Sequence, residues 1–418
     1  LAQLMDQEKE PAIDFHPIAE RKNEVIGQLR SGVEQLLGQE GITLVRGRAT
    51  LVDAHHVAVA DEIYEAENII IATGSSAKLP PIEGIDDPSV LTSTELLNLQ
   101  TLPKHLCIVG AGVIGMEFAS CMAAFGVKVT VVEFLKECLP AIDGDIAKRL
   151  RKQMERRGID FYMQAGVKSI SNGVVTFEQK GKVLTVEADK VLIATGRKPN
   201  IEGLNLEAVG IETYRGGILV NDQMQTNIPH IYAIGDVIGG VQLAHKAEAE
   251  GLACAAYLAG KEPDTSVHVV PSCIYSSPEI ASVGMTADEA KEKGIEVKKS
   301  KYLMSGNGKS IIAHAATMQG FRAVNHIVGK ADQIQFNIMP AAVFTLPEVA
   351  SVENSLLTTA QTPDGTPPLL RTLKGFYRAN GKALAMNETE GLVKLIVDEE
   401  QHIAACHVMG PQIGRAHV

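Results

Sequence analysis

The chain has 418 residues, of which 45% are hydrophobic, and a formal net charge of −11 at pH 7. At about 150 residues per domain, this length predicts two or three domains. The acidic balance argues against a nucleic-acid or membrane-surface partner, and no apolar run reaches the roughly 18 residues that span a bilayer. Six scattered cysteines without a short repeated spacing indicate neither a zinc site nor a disulfide framework, so we expect reduced thiols, no metal and a cytoplasmic location.

The first sixty residues predict one helix and several short strands. Apolar residues recur at spacings of three and four over 17–37, which predicts a helix facing a core. Apolar segments at 42–45, 49–52 and 57–59 are typical of strands broken by turns. Because Leu1 is not an initiator methionine and no signal-like pattern follows it, we expect a truncated chain.

The segment 68–75 is an apolar strand that ends in Thr73-Gly74-Ser75 and is followed by two prolines. This pattern suits a nucleotide-binding platform, although any buried strand followed by a turn would also fit it.

A second apolar strand, 106–109, leads into Gly110, Gly112 and Gly115, which have the spacing G-x-G-x-x-G. In a strand-turn-helix unit the first glycine permits the sharp turn, the second lets the backbone approach a pyrophosphate, and the third lets helix and strand pack closely. The pyrophosphate would lie at the N-terminus of the helix that starts at Val113-Ile114, where unpaired N–H groups favour an anion.

The strand 128–132 follows that helix and is closed by Glu133. An acidic residue about 20 positions after the glycines accepts hydrogen bonds from the ribose hydroxyls, and no arginine follows Glu133 to bind a 2′-phosphate. The pattern therefore favours NAD over NADP. A plain βαβ unit with a chance acidic strand end is the alternative.

The next stretch predicts an amphipathic helix over 145–157, a strand over 159–162, and a hairpin of 173–179 with 182–188. The strand after the hairpin ends in Ile-Ala-Thr-Gly at 193–196, which repeats residues 71–74. Two copies of one strand ending suggest two related nucleotide-binding units.

A third apolar strand, 230–234, ends in Gly235-Asp236. An aspartate at the end of a strand, beside a glycine that admits close approach, is well placed to accept hydrogen bonds from ligand hydroxyls. An Asx turn or helix cap is the alternative. An alanine-rich helix over 242–258 follows, and its first turn would face the same ligand.

Four motifs stand in the order found in the two-dinucleotide flavoprotein disulfide reductases: Gly110–Ala119, Ala194–Asn200, Ala233–Asp236 and Pro278–Gly284. The chain resembles this family and, within it, the dihydrolipoamide dehydrogenases, on the additional segments Asn307–Lys309, Ala379–Ala385 and Gly391–Leu395.

The resemblance implies an α/β fold with two Rossmann-like dinucleotide-binding domains, for FAD and NAD, and an α+β dimer-interface domain. The implied divisions are FAD-binding at 1–101, NAD-binding at 102–225, a return to the FAD domain at 226–265, and the interface at 266–412.

The resemblance also assigns cofactor contacts and partners. Glu117 matches a family glutamate that lies where nicotinamide and flavin meet. The implied partners are a second copy of the chain and a lipoyl-bearing protein of a 2-oxoacid dehydrogenase complex. Electrons would pass from a dithiol to an active-site disulfide, then to FAD, and then as hydride to NAD. The FAD contacts would be Thr73, Gly74, Ser75, Gly235, Asp236, Gln242, Leu243, Ala244 and His245. The NAD contacts would be Gly110, Gly112, Val113, Ile114, Gly115, Glu133 and Gly196.

The sequence departs from the family in its redox residues. No two of its cysteines are separated by four residues, as the family's redox pair is, and the 418 residues do not include the Gly-rich FAD loop with which the family begins. His402, His407 and His417 all lack the glutamate that follows the family's catalytic histidine. We therefore expect no catalysis by this polypeptide itself. The alternatives are another disulfide reductase or mercuric reductase, or a nucleotide-binding fragment without catalysis.

One segment occurs twice at an offset of 69 residues. We interpret this as two related genes joined near 310–313, with a tandem duplication as the alternative, and expect one copy to be displaced because both would compete for one place in a sheet. Between the second copy and residue 374, a proline-containing polar stretch predicts a loop. The repeated residues are Ala244-His245, Gly251, Pro271 and Pro278-Glu279, and then Ala313-His314, Gly320, Pro340 and Pro347-Glu348.

The last six residues, 413–418, are the translation of ATCGGAAGAGCACACGTC, a string that resembles a common sequencing-library adapter. We therefore expect an adapter-encoded tail and a natural chain that ends near Gln412.

Overall fold

The computed structural model describes residues 13–263, 270–297, 338, 341–343, 347–354 and 369–410. The chain forms two compact units. The first comprises Leu1–Ala19 and Thr43–Lys298, and the second comprises Glu20–Ile42 and Lys299–Val418. The fold is mixed α/β, as predicted, and no helix among the described residues is long and apolar enough to cross a membrane.

Residues 13–97 form two helices and short strands, three of which make an antiparallel sheet in the order β1-β2-β3. The elements are α1 (His16–Leu37), β1 (Ala49–Leu51), β2 (His56–Val59), β3 (Glu62–Glu65), β4 (Ile69–Ile71), β5 (Ser75–Ala77), β6 (Val90–Leu91) and α2 (Ser93–Leu97).

Two predictions for this part of the chain are wrong. Residues 42–45 form no strand, and Ile42, Leu44 and Val45 are exposed. No strand of the described residues pairs with this segment. The helix α1 forms as predicted, but only Val25 of the apolar positions that defined its core face is buried. The helical spacing of the apolar residues correctly predicted the helix, whereas the packing of the helix depended on residues far away in the sequence.

The middle of the chain forms a parallel five-stranded sheet in the order β6-β13-β7-β8-β9, beside an antiparallel sheet in the order β10-β11-β12. The elements are β7 (His105–Val109), α3 (Val113–Ala124), β8 (Lys128–Glu133), α4 (Gly144–Arg156), β9 (Asp160–Met163), β10 (Ala165–Ser171), β11 (Val174–Gln179), β12 (Lys182–Glu187), β13 (Lys190–Ile193) and β14 (Arg197–Pro199).

Alternate residues of β7 face two separate cores, as the two-residue period of a strand requires. Leu106 and Ile108 belong to the core that contains residues of α3 and α4, whereas Cys107 and Val109 belong to the core beneath β10 and β11. Because both faces of the sheet are covered, its central strands are mostly apolar, and Thr130 and Glu133 of β8 are buried polar exceptions. The predicted strand-loop-helix at the glycines and the predicted hairpin over 173–188 are both confirmed.

The strand β4 pairs in parallel with a later strand, β17 (Ile231–Ala233). Ile69 lies opposite Ile231, and Ile71 lies opposite Ala233, so the carboxyl ends of both strands lie side by side. The elements of this region are α5 (Leu206–Val209), β15 (Thr213–Tyr214), β16 (Gly217–Ile218), β17 (Ile231–Ala233), a 3-10 turn (Gly235–Ile238) and α6 (Ala244–Leu258).

The duplicated segment occupies two different sheets. In the first unit it forms a two-stranded hairpin followed by a helix, and in the second unit it lies in a five-stranded sheet of order β20-β21-β24-β23-β22. The elements are β18 (Ser272–Ile274), β19 (Ile280–Ser282), α7 (Ala287–Glu292), β20 (Ala341–Val343), β21 (Glu348–Glu353), β22 (Arg371–Phe376), α8 (Gly381–Ala385), β23 (Leu392–Val397) and β24 (Ile403–Gly410).

Among the described residues the second copy, and not the first, lies in the five-stranded sheet, and the displacement of one copy stays a prediction. The predicted loop up to residue 374 is wrong at its end, where Arg371–Phe376 pairs with β23 as an edge strand whose side chains are all exposed. The repeated Ala313-His314 and Gly320, and the tail at 413–418, lie outside the described residues.

Candidate functional site

The three glycines of the loop after β7 have three distinct environments. Gly110 has φ +107, and a Cβ on it would lie 2.5 Å from the carbonyl oxygen of Ala194. A Cβ on Gly115 would collide with the carbonyl oxygen of Gly110. No atom lies within 4 Å of the corresponding position on Gly112, which caps α3 without a side-chain hydrogen bond. Two glycines thus serve close packing, and the middle one leaves open space at a helix N-terminus.

Glu133 ends β8 beside this loop, with a side chain that is only 8% exposed. Its Oε2 accepts a hydrogen bond from the backbone N–H of Ala111 (2.5 Å), and its Oε1 accepts one from that of Leu135 (2.6 Å). Because each carboxylate oxygen has two lone pairs, these bonds orient the carboxylate and leave capacity for ligand hydroxyls. The glycine loop, the start of α3 at Val113 and Ile114, and Glu133 thus form one constellation that fits the pyrophosphate and ribose of a dinucleotide.

Glu117 lies on α3, one turn beyond the helix start. Its Oε1 accepts a hydrogen bond from the backbone N–H of Tyr275 (2.8 Å), and burial raises the pKa of its carboxyl group. One turn later, Ser120 Oγ accepts a hydrogen bond from Ser277 N–H (2.9 Å). This face of α3 therefore holds the segment that joins β18 to β19, and the role of Glu117 at a flavin stays a prediction.

The second constellation lies where β4 and β17 end. Ser75 Oγ donates a hydrogen bond to Asp236 Oδ2 (2.5 Å). Arg197 donates from Nε to Ser75 Oγ (2.7 Å) and from Nη2 to the Ser75 carbonyl (2.6 Å), and its Nε lies 3.8 Å from Asp236 Oδ2. The arginine compensates the charge of the half-buried aspartate and fixes its orientation. An acceptor held in this way fits the hydroxyls of a second nucleotide.

Each of the two Ile-Ala-Thr-Gly segments forms hydrogen bonds with the residues that follow the other. Thr73 Oγ1 donates to the Asn200 carbonyl (2.7 Å), and Thr195 Oγ1 donates to the Lys78 carbonyl (3.0 Å). Backbone bonds repeat the exchange, from Asn200 N–H to the carbonyl of Gly74 and from Lys78 N–H to that of Gly196, both at 2.9 Å. Both Thr-Gly turns therefore lie beside the antiparallel pairing of β5 with β14.

The start of α6 approaches the same place. Gly235 N–H donates to Glu250 Oε2 (2.8 Å), and Glu250, 2% exposed, forms an ion pair with Lys246. Leu243 caps α6 without a side-chain hydrogen bond, which leaves the first turn suited to an anion. Nε2 of His245 lies 2.7 Å from the Pro271 carbonyl oxygen.

The structure thus brings most of the predicted residues into two groups, around Glu133 and around Asp236. Sequence reasoning did not single out Arg197, Asn200, Lys246 or Glu250. A Lys-x-x-x-Glu spacing on α6 was the available signal for the last two, whereas nothing local to Arg197 indicates that it contacts Ser75, 122 residues away.

A cluster of potential metal ligands occurs in the second compact unit. Asp398, Glu400 and His402 carry ligand atoms within 4.8 Å of one another at the turn between β23 and β24. Asp398 accepts hydrogen bonds from His402 N–H (2.7 Å) and lies 3.1 Å from its Nδ1, so the turn's own hydrogen bonds account for the grouping.

Comparison with known proteins gives matches along most of the chain. A family profile described as "Pyridine nucleotide-disulphide oxidoreductase" matches residues 1–251. The profile described as the dimerisation domain of the same family matches residues 270–324 and 339–416. The two dimerisation-domain stretches begin 69 residues apart, which is the offset of the sequence repeat.

The chain is similar to curated proteins over about 70% of its length. It is 38% identical to dihydrolipoyl dehydrogenase, mitochondrial, of Pisum sativum over 71% of the chain and 62% of that protein. It is 39% identical to leghemoglobin reductase of Glycine max over 69% of the chain and 58% of that protein. For dihydrolipoyl dehydrogenase of Bacillus subtilis (strain 168) the identity is 37%, over 73% of the chain and 68% of that protein. The matched part thus spans about three fifths of the plant relatives.

Among solved structures, the HOCl-induced flavoprotein disulfide reductase RclA from Escherichia coli superposes with a TM-score of 0.62 at 27% sequence identity. The match covers 96% of this chain and 77% of that one.

Proposed function

The chain belongs to the pyridine nucleotide-disulphide oxidoreductase family, and from this premise we propose that it derives from a dihydrolipoamide:NAD oxidoreductase. The family is oxidoreductase in function, and its cofactors are FAD and a pyridine nucleotide. The observation that carries the choice of NAD is the carboxylate of Glu133, bonded to Ala111 N–H where a 2′-phosphate would be repelled.

The proposed NAD site uses three features of this chain. The N-terminus of α3 and the open backbone at Gly112 would receive the pyrophosphate, and Glu133 would accept the adenosine ribose hydroxyls. Gly196 lies at the end of the neighbouring strand β13 and would border the same nucleotide.

The proposed FAD site uses Thr73, Gly74, Ser75, Asp236 and the start of α6. The Ser75–Asp236–Arg197 group would hold hydroxyls of the flavin nucleotide, and the first turn of α6, from Gln242 to His245, would lie along it. When bound, FAD supplies the redox chemistry and passes hydride to or from NAD. Glu117 would border the two rings, and its raised pKa favours the neutral acid in that place.

The 418 residues contain no cysteine pair with the spacing of the family's redox disulfide, and burial makes at least three of the thiols weaker nucleophiles. Burial raises the pKa of Cys107 and of Cys138 to about 12 and also raises that of Cys121. We therefore propose that this polypeptide by itself does not exchange electrons with a disulfide substrate.

The dimerisation domain supports a second copy of the chain as a partner, and a lipoyl-bearing protein of a 2-oxoacid dehydrogenase complex would be the substrate carrier. A cytoplasmic location and the division into FAD, NAD and interface domains at 1–101, 102–225, 226–265 and 266–412 stay predictions.

A second candidate is another disulfide reductase of the same fold. The match to the Escherichia coli flavoprotein disulfide reductase over 96% of the chain favours it, whereas the higher identity to dihydrolipoyl dehydrogenases favours the first. A nucleotide-binding fragment without catalysis is consistent with the missing cysteine pair.

The test is a titration of the purified chain with NADH, in which the fluorescence of NADH reports binding. It is carried out for the natural sequence and for Gly112→Ala. Gly112 has φ −73 and no neighbour at its Cβ position, so alanine fits the protein but projects into the proposed pyrophosphate path. We expect at least tenfold weaker NADH binding with an unchanged urea midpoint. Gly27→Ala, equally free of neighbours on α1, is the matched control and should leave NADH affinity unchanged.

Flavin absorbance of the purified chain and NAD reduction by dihydrolipoamide complete the test. We expect NADH binding, little retained flavin and no turnover. Turnover with dihydrolipoamide would refute the proposed inactivity, and equal NADH affinity of the natural chain and Gly112→Ala would refute the proposed site.

A further inference from the structure

A cavity of about 400 Å³ lies in the first unit, between the second half of α3, the end of α4 and the turn that joins β18 to β19. Neither Glu133 nor Asp236, around which the proposed nucleotide sites are built, lines it. Its apolar lining includes Met154 and Ile159, which are buried, and Ala123, which is half-buried. Small-molecule sites are typically clefts of about 300–1,000 Å³ with mostly apolar walls and a few polar groups, so this cavity has the size and lining of such a site.

The charge around the cavity has one sign. Arg157 is the only charged residue among the described residues that line it, although the chain as a whole has a net charge of −11. Nη1 of Arg157 donates a hydrogen bond to the Ser277 carbonyl (2.7 Å), whereas Nε and Nη2 donate to no described residue. A guanidinium has five N–H donors in a planar fork that matches the geometry of a carboxylate. The cavity therefore offers a cation with unused donors and no competing anion from the described lining.

Two serine hydroxyls add further donors to this lining. Ser120 Oγ accepts the N–H of Ser277 (2.9 Å) and donates its own proton to no described residue, and the Ser277 hydroxyl also donates to none. Ser276 is only 4% exposed, and its hydroxyl donates to the Pro278 carbonyl (2.8 Å). The polar capacity that the protein leaves unused is thus donor capacity, which fits a ligand group that only accepts hydrogen bonds, such as a carboxylate.

The turn that forms one wall of the cavity is already held in place. Ile274 and Ile280, at its two ends, are buried in the core that contains residues of α3 and α4. Within the turn, Tyr275 N–H donates to Glu117 Oε1 (2.8 Å), in addition to the hydrogen bonds of Ser277. A ligand would not have to order this segment, and a preorganised site has a lower entropic cost of binding.

We propose that this cavity binds a small monocarboxylate with a compact apolar body, independently of both nucleotide sites. The carboxylate would bind the unused N–H groups of Arg157 and the hydroxyls of Ser120 and Ser277, and the apolar body would pack on Met154 and Ile159. An aromatic body suits this place because a methionine thioether makes favourable contacts with the edge of a ring. One guanidinium compensates one negative charge, which favours a monocarboxylate over a phosphate dianion.

The test is isothermal titration calorimetry of the full-length chain with 2-naphthoate at pH 7. Two matched probes separate the parts of the ligand, since 2-naphthamide has the same body without the charge and acetate has the carboxylate without the body. We expect saturable binding of 2-naphthoate at one site, about tenfold weaker binding of 2-naphthamide because charge-assisted hydrogen bonds are lost, and no saturable binding of acetate.

Three variants locate the site. Arg157→Gln should weaken 2-naphthoate binding at least tenfold. Arg156→Gln removes the same charge from the neighbouring exposed residue, which does not line the cavity, and should leave the affinity unchanged. Ala124 is the exposed last residue of α3 and lines the cavity, so Ala124→Leu should abolish binding with an unchanged urea midpoint. This variant keeps Arg157 and its hydrogen bond to the turn, and it tests the site even if Arg157→Gln loosens the turn.

The thiol of Cys121 reports occupancy directly, because Cys121 is exposed and lines the cavity. Bound 2-naphthoate should slow its alkylation by N-ethylmaleimide at least threefold, measured by mass spectrometry of peptides, while Cys406 in the second unit serves as the reference and reacts at an unchanged rate. Equal affinities for 2-naphthoate and 2-naphthamide, or equal affinities of the natural chain and Arg157→Gln, would overturn the carboxylate site. Binding that persists in Ala124→Leu or leaves the alkylation of Cys121 unchanged would place the ligand elsewhere, and the absence of saturable 2-naphthoate binding would refute the proposal as a whole.

Discussion

The ion pair of Lys246 with Glu250 on α6 gives a stability prediction whose magnitude follows from burial. The two side chains are 13% and 3% exposed, and Glu250 Oε2 also accepts the N–H of Gly235 beside the proposed FAD site. Lys246→Met removes the cation and leaves a buried carboxylate without a compensating charge. Breaking such a pair costs about 3–5 kcal/mol, and we expect about 3 kcal/mol here because Lys246 retains some contact with solvent.

The measurement is urea unfolding at pH 7, followed by circular dichroism. Glu250→Gln keeps an acceptor for Gly235 and leaves the charge on the more exposed partner, so we expect a loss of only about 1–2 kcal/mol. The matched control is Lys198→Met, whose pair with Glu202 has the same four-residue spacing but is 51% and 77% exposed; no measurable change is expected. Equal effects of Lys246→Met and Lys198→Met would refute the reasoning from burial.

Three further predictions concern the first nucleotide site. Glu133→Gln should weaken NADH binding about tenfold in a fluorescence titration, since hydrogen bonds to a charged group contribute about 1.5–3 kcal/mol; unchanged affinity would exclude the ribose role. Gly115→Ala should lower the urea midpoint, because its Cβ would collide with the Gly110 carbonyl, and an unchanged midpoint would contradict the close packing of the loop. Burial raises the pKa of Glu117, so its contribution is fully present below pH 4 and is lost as pH rises through the raised value. The Glu117→Gln variant should therefore gain stability relative to the natural chain between pH 4 and pH 8, and a constant difference would contradict the raised pKa.

The parts of the fold that the sequence predicted well depend on local constraints. The loop at Gly110–Gly115 was predictable because the reason for each glycine is local. Gly110 and Gly115 permit close contacts with carbonyl groups, and Gly112 leaves open space at the start of α3. The hairpin over 173–188 turns at Lys180-Gly181, where both residues have positive φ, and a Lys-Gly pair between two alternating segments indicates such a turn.

The parts that could not be predicted depend on contacts between distant residues. The segment 42–45 has the composition of a strand, but a strand needs a neighbour, and no local pattern shows whether one is available. Arg197 lies inside the motif Ala194–Asn200, yet its hydrogen bonds to Ser75 depend on the pairing of β5 with β14. The predicted packing of α1 was wrong for the same reason, because the spacing of its apolar residues specified a helix but not the residues that pack against it.

The pairing of β5 with β14 also connects the two proposed nucleotide sites. Ser75 belongs to β5 and donates to Asp236, while Arg197 belongs to β14 and follows directly on Gly196, the proposed border of the NAD site. The hydrogen bonds between Thr73 and Asn200 and between Thr195 and Lys78 also stabilise the pairing of β5 with β14. A short two-stranded sheet therefore sets the position of the Asp236 group relative to the end of β13. Hydride transfer requires both rings to be held within bonding range, and the duplicated Thr-Gly turns are the elements of this chain that can provide such precision.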